Sequence, residues 1–145
     1  MENLKFPEIF DLQQAGQQAQ NNFRISFLSF TRIIFLVLRY EHNVMLCEDH
    51  TVDFYNTNMQ GNILVQFKTG NTTGSKMLQC EINISGKLHF NLLYLEDRGE
   101  HVTPRYSWET MHEEPLNKRY TAEDFWQFPE EFAEYLPQIA EVLKK

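Results

Sequence analysis

The residues with the most chemistry per position fall in two places. Cys47-Glu48-Asp49-His50 forms a Cys-x-x-His step, and Cys80 and His89 could complete four soft or borderline ligands, the donor types of a tetrahedral zinc site. Against that set, strand side chains alternate faces, so Cys47 and His50 share a side only if a turn bends them together. Cys80 belongs to the apolar class of its strand and His89 to the polar class. Both cysteines also suit the role of small buried hydrophobes. No metal and no other cofactor is expected.

The second place is His112-Glu113-Glu114, with Glu109, His101 and Glu100 nearby. Imidazoles and carboxylates can hold a metal or act as general acid and base. Nothing reinforces the grouping: His-Glu-x-x-His, paired-carboxylate spacing and an orienting partner are all missing. Neither cysteine has a basic sequence neighbour to favour its thiolate. The chain also lacks a Gly-x-Ser-x-Gly elbow and a Gly-x-x-x-x-Gly-Lys phosphate loop. No catalytic residue is expected, and an enzymatic role is disfavoured.

Tyr106, Trp108 and Met111 are large apolar side chains in a stretch without helical or strand period. With Glu109, His112, Glu113 and Glu114 they form the candidate partner-binding set, since aromatic and Met side chains in loops are common anchors for a partner. The alternative is that they fold back over a sheet edge or the core. Phe125, Trp126 and Phe128 read as core.

The elements that must position these residues follow from periodicity. Pro7 suits a first helical turn. Ile9, Leu12, Ala15, Ala19 and Phe23 recur at three- and four-residue spacing opposite a Gln-rich face, which predicts a helix over about 7–21, ended by Asn21-Asn22. From Phe23 the rhythm changes. Phe23, Ile25 and Phe27 alternate with polar residues, and Ile33 to Leu38 reads as a buried strand after a bend near Ser29–Arg32. A second helix there is the competing reading, but Ile, Val and Phe enrichment favours strands.

Val44, Leu46, Val52 and Phe54 suggest a hairpin across Glu48-Asp49-His50, with residues 57–62 as a loop. Ile63, Val65 and Phe67, then Leu78, Cys80 and Ile82, then Leu88, Phe90, Leu92 and Tyr94 give three alternating strands. Gly70–Gly74 and Ser85-Gly86 supply the turns between them. Short connections predict antiparallel pairing. Residues 95–120 read as an irregular, charged loop carrying Pro104 and Pro115. Thr121 resembles an N-cap with Asp124 at the capping-box position. Phe132, Leu136, Ile139 and Leu143 form an apolar stripe, with a kink or short break expected at Pro137.

The expected fold is thus one α+β domain over 1–145: an antiparallel meander of five to six strands, flanked by an N-terminal helix (about 7–21) and C-terminal helical segments (about 121–144) packed on one face. A chain of 145 residues with 42% hydrophobic residues, twelve Phe, six Tyr and two Trp can bury such a core.

Charge narrows the function classes. The net charge is −7, and residues 95–145 carry twelve acids against six bases. That third repels phosphate backbones, so nucleic acid is not expected as a partner, while a protein with a basic surface would suit it. The longest apolar run, Ile33 to Leu38, cannot span a bilayer. The start, Met1 to Pro7, has no charged and apolar leader pattern. Two cysteines make no disulfide framework, so a cytoplasmic setting is expected. The stretch Leu78 to Tyr94, with Ser85-Gly86-Lys87 between its apolar alternations, is similar to the central hairpin of small bacterial immunity proteins that neutralise nuclease toxins. That similarity covers under a fifth of the chain, and no functional residue carries over from it.

The functional expectation is a non-enzymatic protein-binding module, of inhibitor or immunity type, engaging its partner through the acidic, aromatic-bearing C-terminal region. The competing expectation is a small-molecule-binding or hydrolytic domain with an apolar cavity between sheet and terminal helix.

Overall fold

The computed structural model describes residues 6–48, 51–57, 60–83, 85–97, 99 and 106–145. Along the chain lie α1 (Phe6–Tyr40), β1 (Thr51–Thr57), β2 (Gln60–Lys68), β3 (Lys76–Asn83), β4 (Lys87–Asp97), β5 (Tyr106–Arg119), α2 (Ala122–Gln127) and α3 (Phe132–Lys144). The strands form one five-stranded sheet in the order β1-β2-β3-β4-β5, each pair antiparallel. This is the expected α+β meander.

The two-residue rhythm sets the sheet's two faces. Ile63, Ile82 and Leu88 align across β2, β3 and β4, as do Val65, Cys80 and Phe90, and Phe67, Leu78 and Leu92. All nine are buried, in one cluster with Phe27, Phe30, Ile34 and Leu38 of α1, Phe125 of α2, and Phe132, Leu136, Ile139 and Leu143 of α3. The three helices therefore cover the same face. Burying one such side chain is worth about 1.5–3 kcal/mol. Phe30 sits at the centre of the aromatic packing, its ring 4.7 Å from Phe132, 4.8 Å from Phe125 and 5.3 Å from Phe128 between centroids.

The largest correction concerns residues 23–38. They are not strands: α1 runs unbroken through Asn21-Asn22 to Tyr40. Phe27, Phe30, Ile34 and Leu38 are buried, whereas Ile25, Ile33 and Leu36 are 55%, 38% and 37% exposed. That is helical spacing, and the apparent alternation at 23, 25 and 27 was carried by an Ile that faces solvent. Burial of one apolar stripe against the sheet outweighs the β-propensity of its residues.

Three smaller corrections follow. Val44 and Leu46 are buried but lie in the connection after α1, outside any strand, so the hairpin is β1 with β2 rather than 44–47 with 52–55. The expected irregular stretch contains β5, fourteen residues long; as the last strand of the sheet it needs no strict apolar alternation. Helix α3 continues through Pro137. The carbonyl that loses its partner there belongs to Ala133, and both residues are exposed, so water can take it.

The capping box is formed as expected. Thr121 Oγ1 accepts from the Asp124 amide at 3.2 Å, and Asp124 Oδ2 accepts from the Thr121 amide at 2.8 Å. Among the described residues no helix is long and apolar enough to cross a membrane.

Candidate functional site

An apolar groove opens where β4 and β5 meet α3. Phe90 and Leu92 form its floor, Met111 one wall, and Tyr135, Gln138, Ile139 and Val142 the other, around a cavity of ≈ 370 Å³. Local rules explain each wall. On α3, Leu136, Ile139 and Leu143 turn inward, which leaves Tyr135 and Val142 at the flank of the stripe, half-buried against the core. On β5, Leu92 pairs with His112 and Leu93 with Thr110, so Met111 is the extra residue of a β-bulge. A bulge bends an edge strand and re-aims a side chain; Met111 lines the groove while 44% exposed.

No carboxylate, imidazole or thiol lines this cavity among the described residues. Acids stand at its α3 rim instead: Glu134 and Glu141, both exposed, flank Gln138 by one helical turn on either side. Near the base of α3 a second acidic group is tied into the fold. Tyr120 Oη donates to Glu131 Oε1 at 2.7 Å, and Lys118 Nζ lies 3.9 Å from Glu131 Oε1 and 4.0 Å from Asp124 Oδ1. Burial of the phenol, then its bond to Glu131 and nearby negative charge, push Tyr120 above the usual tyrosine range. Partial desolvation raises Glu131, but the Tyr120 hydroxyl, a backbone hydrogen bond and Lys118 outweigh it and hold it below the usual carboxylate range. Asp124 is lowered by its backbone hydrogen bond from Thr121, against desolvation, with the Thr121 hydroxyl and Lys118 assisting.

The seven candidate partner-binding residues all lie on β5, but register divides them. Tyr106, Trp108 and Glu113 pair with Asp97, Leu95 and Asn91, positions on the face away from the helices. Glu109, His112 and Glu114 pair with Tyr94, Leu92 and Phe90, positions on the helix-covered side. Met111 lies between the two groups and lines the cavity. Trp108 is half-buried, beside Leu95.

Of the zinc candidates, Cys80 and His89 lie on opposite faces of the sheet. Cys80 is buried under the helices, its thiol pushed up by desolvation. His89 holds the opposite face, and Cys47 sits in the connection before β1 with its amide bonded to the Lys68 carbonyl at 2.9 Å. Asp49, His50, Glu100 and His101 lie outside the described residues. Among those described, no three His, Cys, Asp or Glu side chains gather to hold a metal.

The competing expectation held an apolar cavity between sheet and terminal helix, but its lining was not legible, because Phe90, Leu92 and Ile139 read simply as core. The available signal was Tyr135 and Val142, apolar residues one position off the inward stripe of α3. Compared with protein-family models, curated proteins and solved structures, the chain finds no match in any of the three.

Proposed function

We propose that this chain is a non-enzymatic protein-binding module, of inhibitor or immunity type, working in the cytoplasm. The observation that carries the reading is the apolar groove walled by Met111, Tyr135, Ile139 and Val142, with Glu134 and Glu141 beside it. Its occupant is a protein segment with one or two apolar side chains for the groove and Lys or Arg on its flanks. Charge supports this choice, because residues 95–145 carry twelve acids and six bases. Complementary charge steers encounter and makes it salt-sensitive, while apolar anchoring supplies most of the affinity.

The test is capture on the immobilised chain at low and high salt, repeated with Met111→Glu and with Glu134→Lys/Glu141→Lys. A partner held at low salt, released at high salt and lost from both variants supports the reading. A partner held equally by all three proteins removes the groove from it.

A second reading is favoured by the cavity's size and place. At ≈ 370 Å³ it falls within the range of small-molecule sites, roughly 300–1,000 Å³, between the sheet and the terminal helix. In that reading the chain binds a compact apolar metabolite. A thermal-shift screen separates the two, since a ligand specific to the folded state raises its melting temperature.

A further inference from the structure

The C-terminal half of α1 carries a second apolar row, turned away from the core. Phe27, Phe30, Ile34 and Leu38 are buried, while Ile25, Ile33, Leu36 and Tyr40 are exposed along the outer side of the same helix. Trp126 of α2, also exposed, stands at the N-terminal end of the row, its Nε1 donating to Asn22 Oδ1 at 3.3 Å. From Ile25 to Tyr40 the row spans about 22 Å of helix. Single exposed apolar residues need no explanation, but a row of them marks an interaction surface.

Charge decides what the row fits. From Leu12 to Tyr40 the chain holds three arginines, Arg24, Arg32 and Arg39, and no acid, in a protein of net charge −7. Arg32 is exposed beside Ile33, its guanidinium 4.9 Å from the centre of the Phe35 ring. Arg39 precedes Tyr40, half-buried and paired with Glu48 at 3.1 Å. Two such rows laid together would oppose positive to positive, which is unfavourable. The row calls for an acidic counterpart.

The groove supplies one with matching spacing. On α3, Tyr135 and Val142 stand seven residues apart, each directly after an exposed acid, Glu134 and Glu141. On α1, Ile33 and Tyr40 stand seven residues apart, each directly after an arginine, Arg32 and Arg39. Seven residues are two turns, about 10.5 Å along either helix. Two helices side by side therefore bring both apolar positions and both charge pairs into register, as flanking charges do in paired helices. Within one chain the inner side of α1 is fixed in the core, so its outer row is open only to another molecule.

Resting on the reading of the groove as a protein-docking site, we propose that its occupant is the outer row of α1 from a second copy of this chain. Ile33, Leu36 and Tyr40 of one copy lie against Met111, Tyr135 and Val142 of the other, with Arg32 and Arg39 against Glu134 and Glu141. The contact joins two different surfaces, and it closes into a dimer when each copy fills the other's groove.

The experiment is sedimentation velocity of the full chain, diluted from about 100 μM at low and at high salt. The wild-type chain should associate at low salt and come apart at high salt. Arg32→Glu alone, and Glu134→Lys/Glu141→Lys alone, should each weaken association by about tenfold or more, because like charges then meet. Mixing these two variants should restore it, since each groove then faces the opposite charge, and recovery shows that both are folded. A wild-type chain that is monomeric throughout the low-salt series overturns the proposal. So does association that neither charge variant weakens, or variants that stay apart when mixed. If the chain is monomeric while Met111→Glu releases a captured foreign segment, the groove keeps its protein-binding role and only the second copy is overturned.

Discussion

Gly86 and Tyr120 are joined backbone to backbone: the Tyr120 amide donates to the Gly86 carbonyl at 2.8 Å, and a Cβ on Gly86 would collide with the Tyr120 carbonyl oxygen. The contact ties the β3–β4 turn to the point where β5 ends and α2 begins. It therefore anchors the C-terminal helices that wall the groove.

Gly86→Ala tests that tie. Gly86 has φ +86°, so alanine adds left-handed strain to the collision. A loss of about 2–4 kcal/mol is expected by urea denaturation. Gly74 is the control, with φ +91° and no atom within 4 Å of an added Cβ. Gly74→Ala should cost only the strain, about 1–2 kcal/mol. Equal losses at both sites would show that the collision contributes nothing.

Tyr120→Phe keeps the ring stacked on Phe125, at 5.5 Å between centroids, and removes the hydroxyl bound to Glu131. The expected loss near neutrality is about 1–2 kcal/mol. The pH dependence carries a sign. Tyr120 is raised in the folded state, so its contribution is intact below the ordinary tyrosine value of about 10 and declines above it. Denaturation midpoints should fall above about pH 10, less steeply in Tyr120→Phe. An identical alkaline decline in both proteins would exclude Tyr120 as its source.

The acid limb runs the other way. Asp124 and Glu131 are lowered in the folded state, so their contribution is present above the ordinary carboxylate values of about 4 and is lost as pH falls through the lowered ones. Asp124→Asn should flatten the acid-side fall in melting temperature relative to wild type. Superimposable acid limbs would contradict the assignment.

The helical reading of residues 23–38 is tested by two substitutions three residues apart. Phe30 is fully buried among Phe27, Phe125, Phe128 and Phe132, and Phe30→Ala should cost about 3–5 kcal/mol. Ile33→Ala removes a side chain 38% exposed and should cost about 1 kcal/mol or less. Comparable losses would argue against the helix.

Pro137→Ala should stabilise α3. It restores a donor for the Ala133 carbonyl in mid-helix, where proline is disfavoured by up to about 3 kcal/mol. Because both residues are exposed, water can meet the Ala133 carbonyl, and the gain should be nearer about 1 kcal/mol, read as a higher melting temperature. A lower one would mean that the proline ring itself supports the helix.

Between Ile63 and Tyr94 the strands were legible because each residue faces either the helices or the opposite side, and apolar content marks the difference; Gln60–Asn62, read as loop, belong to β2. The C-terminal helix and its capping box were legible for a similar reason, since Thr121, Asp124 and the stripe from Phe132 to Leu143 are local signals. Residues 23–38 were not. Their Phe, Ile and Val content fits a strand as well as a helix, and only packing of Phe27, Phe30, Ile34 and Leu38 against the sheet selects the helical period. Strand β5 was hidden because its pairing partner, not its own pattern, defines it, with Met111 bulged and Pro115 within it.

By itself, the order of residues determined the α+β class, the meander, the helix-facing rows from Ile63 to Leu92 and the acidic character of the final third. Tertiary structure decided the rest: the length of α1, the existence of β5, and the groove between Met111 and Val142. The physical reason is range. Alternation and capping act over a few residues, whereas a groove exists only where segments distant in the chain pack side by side without filling the space between them.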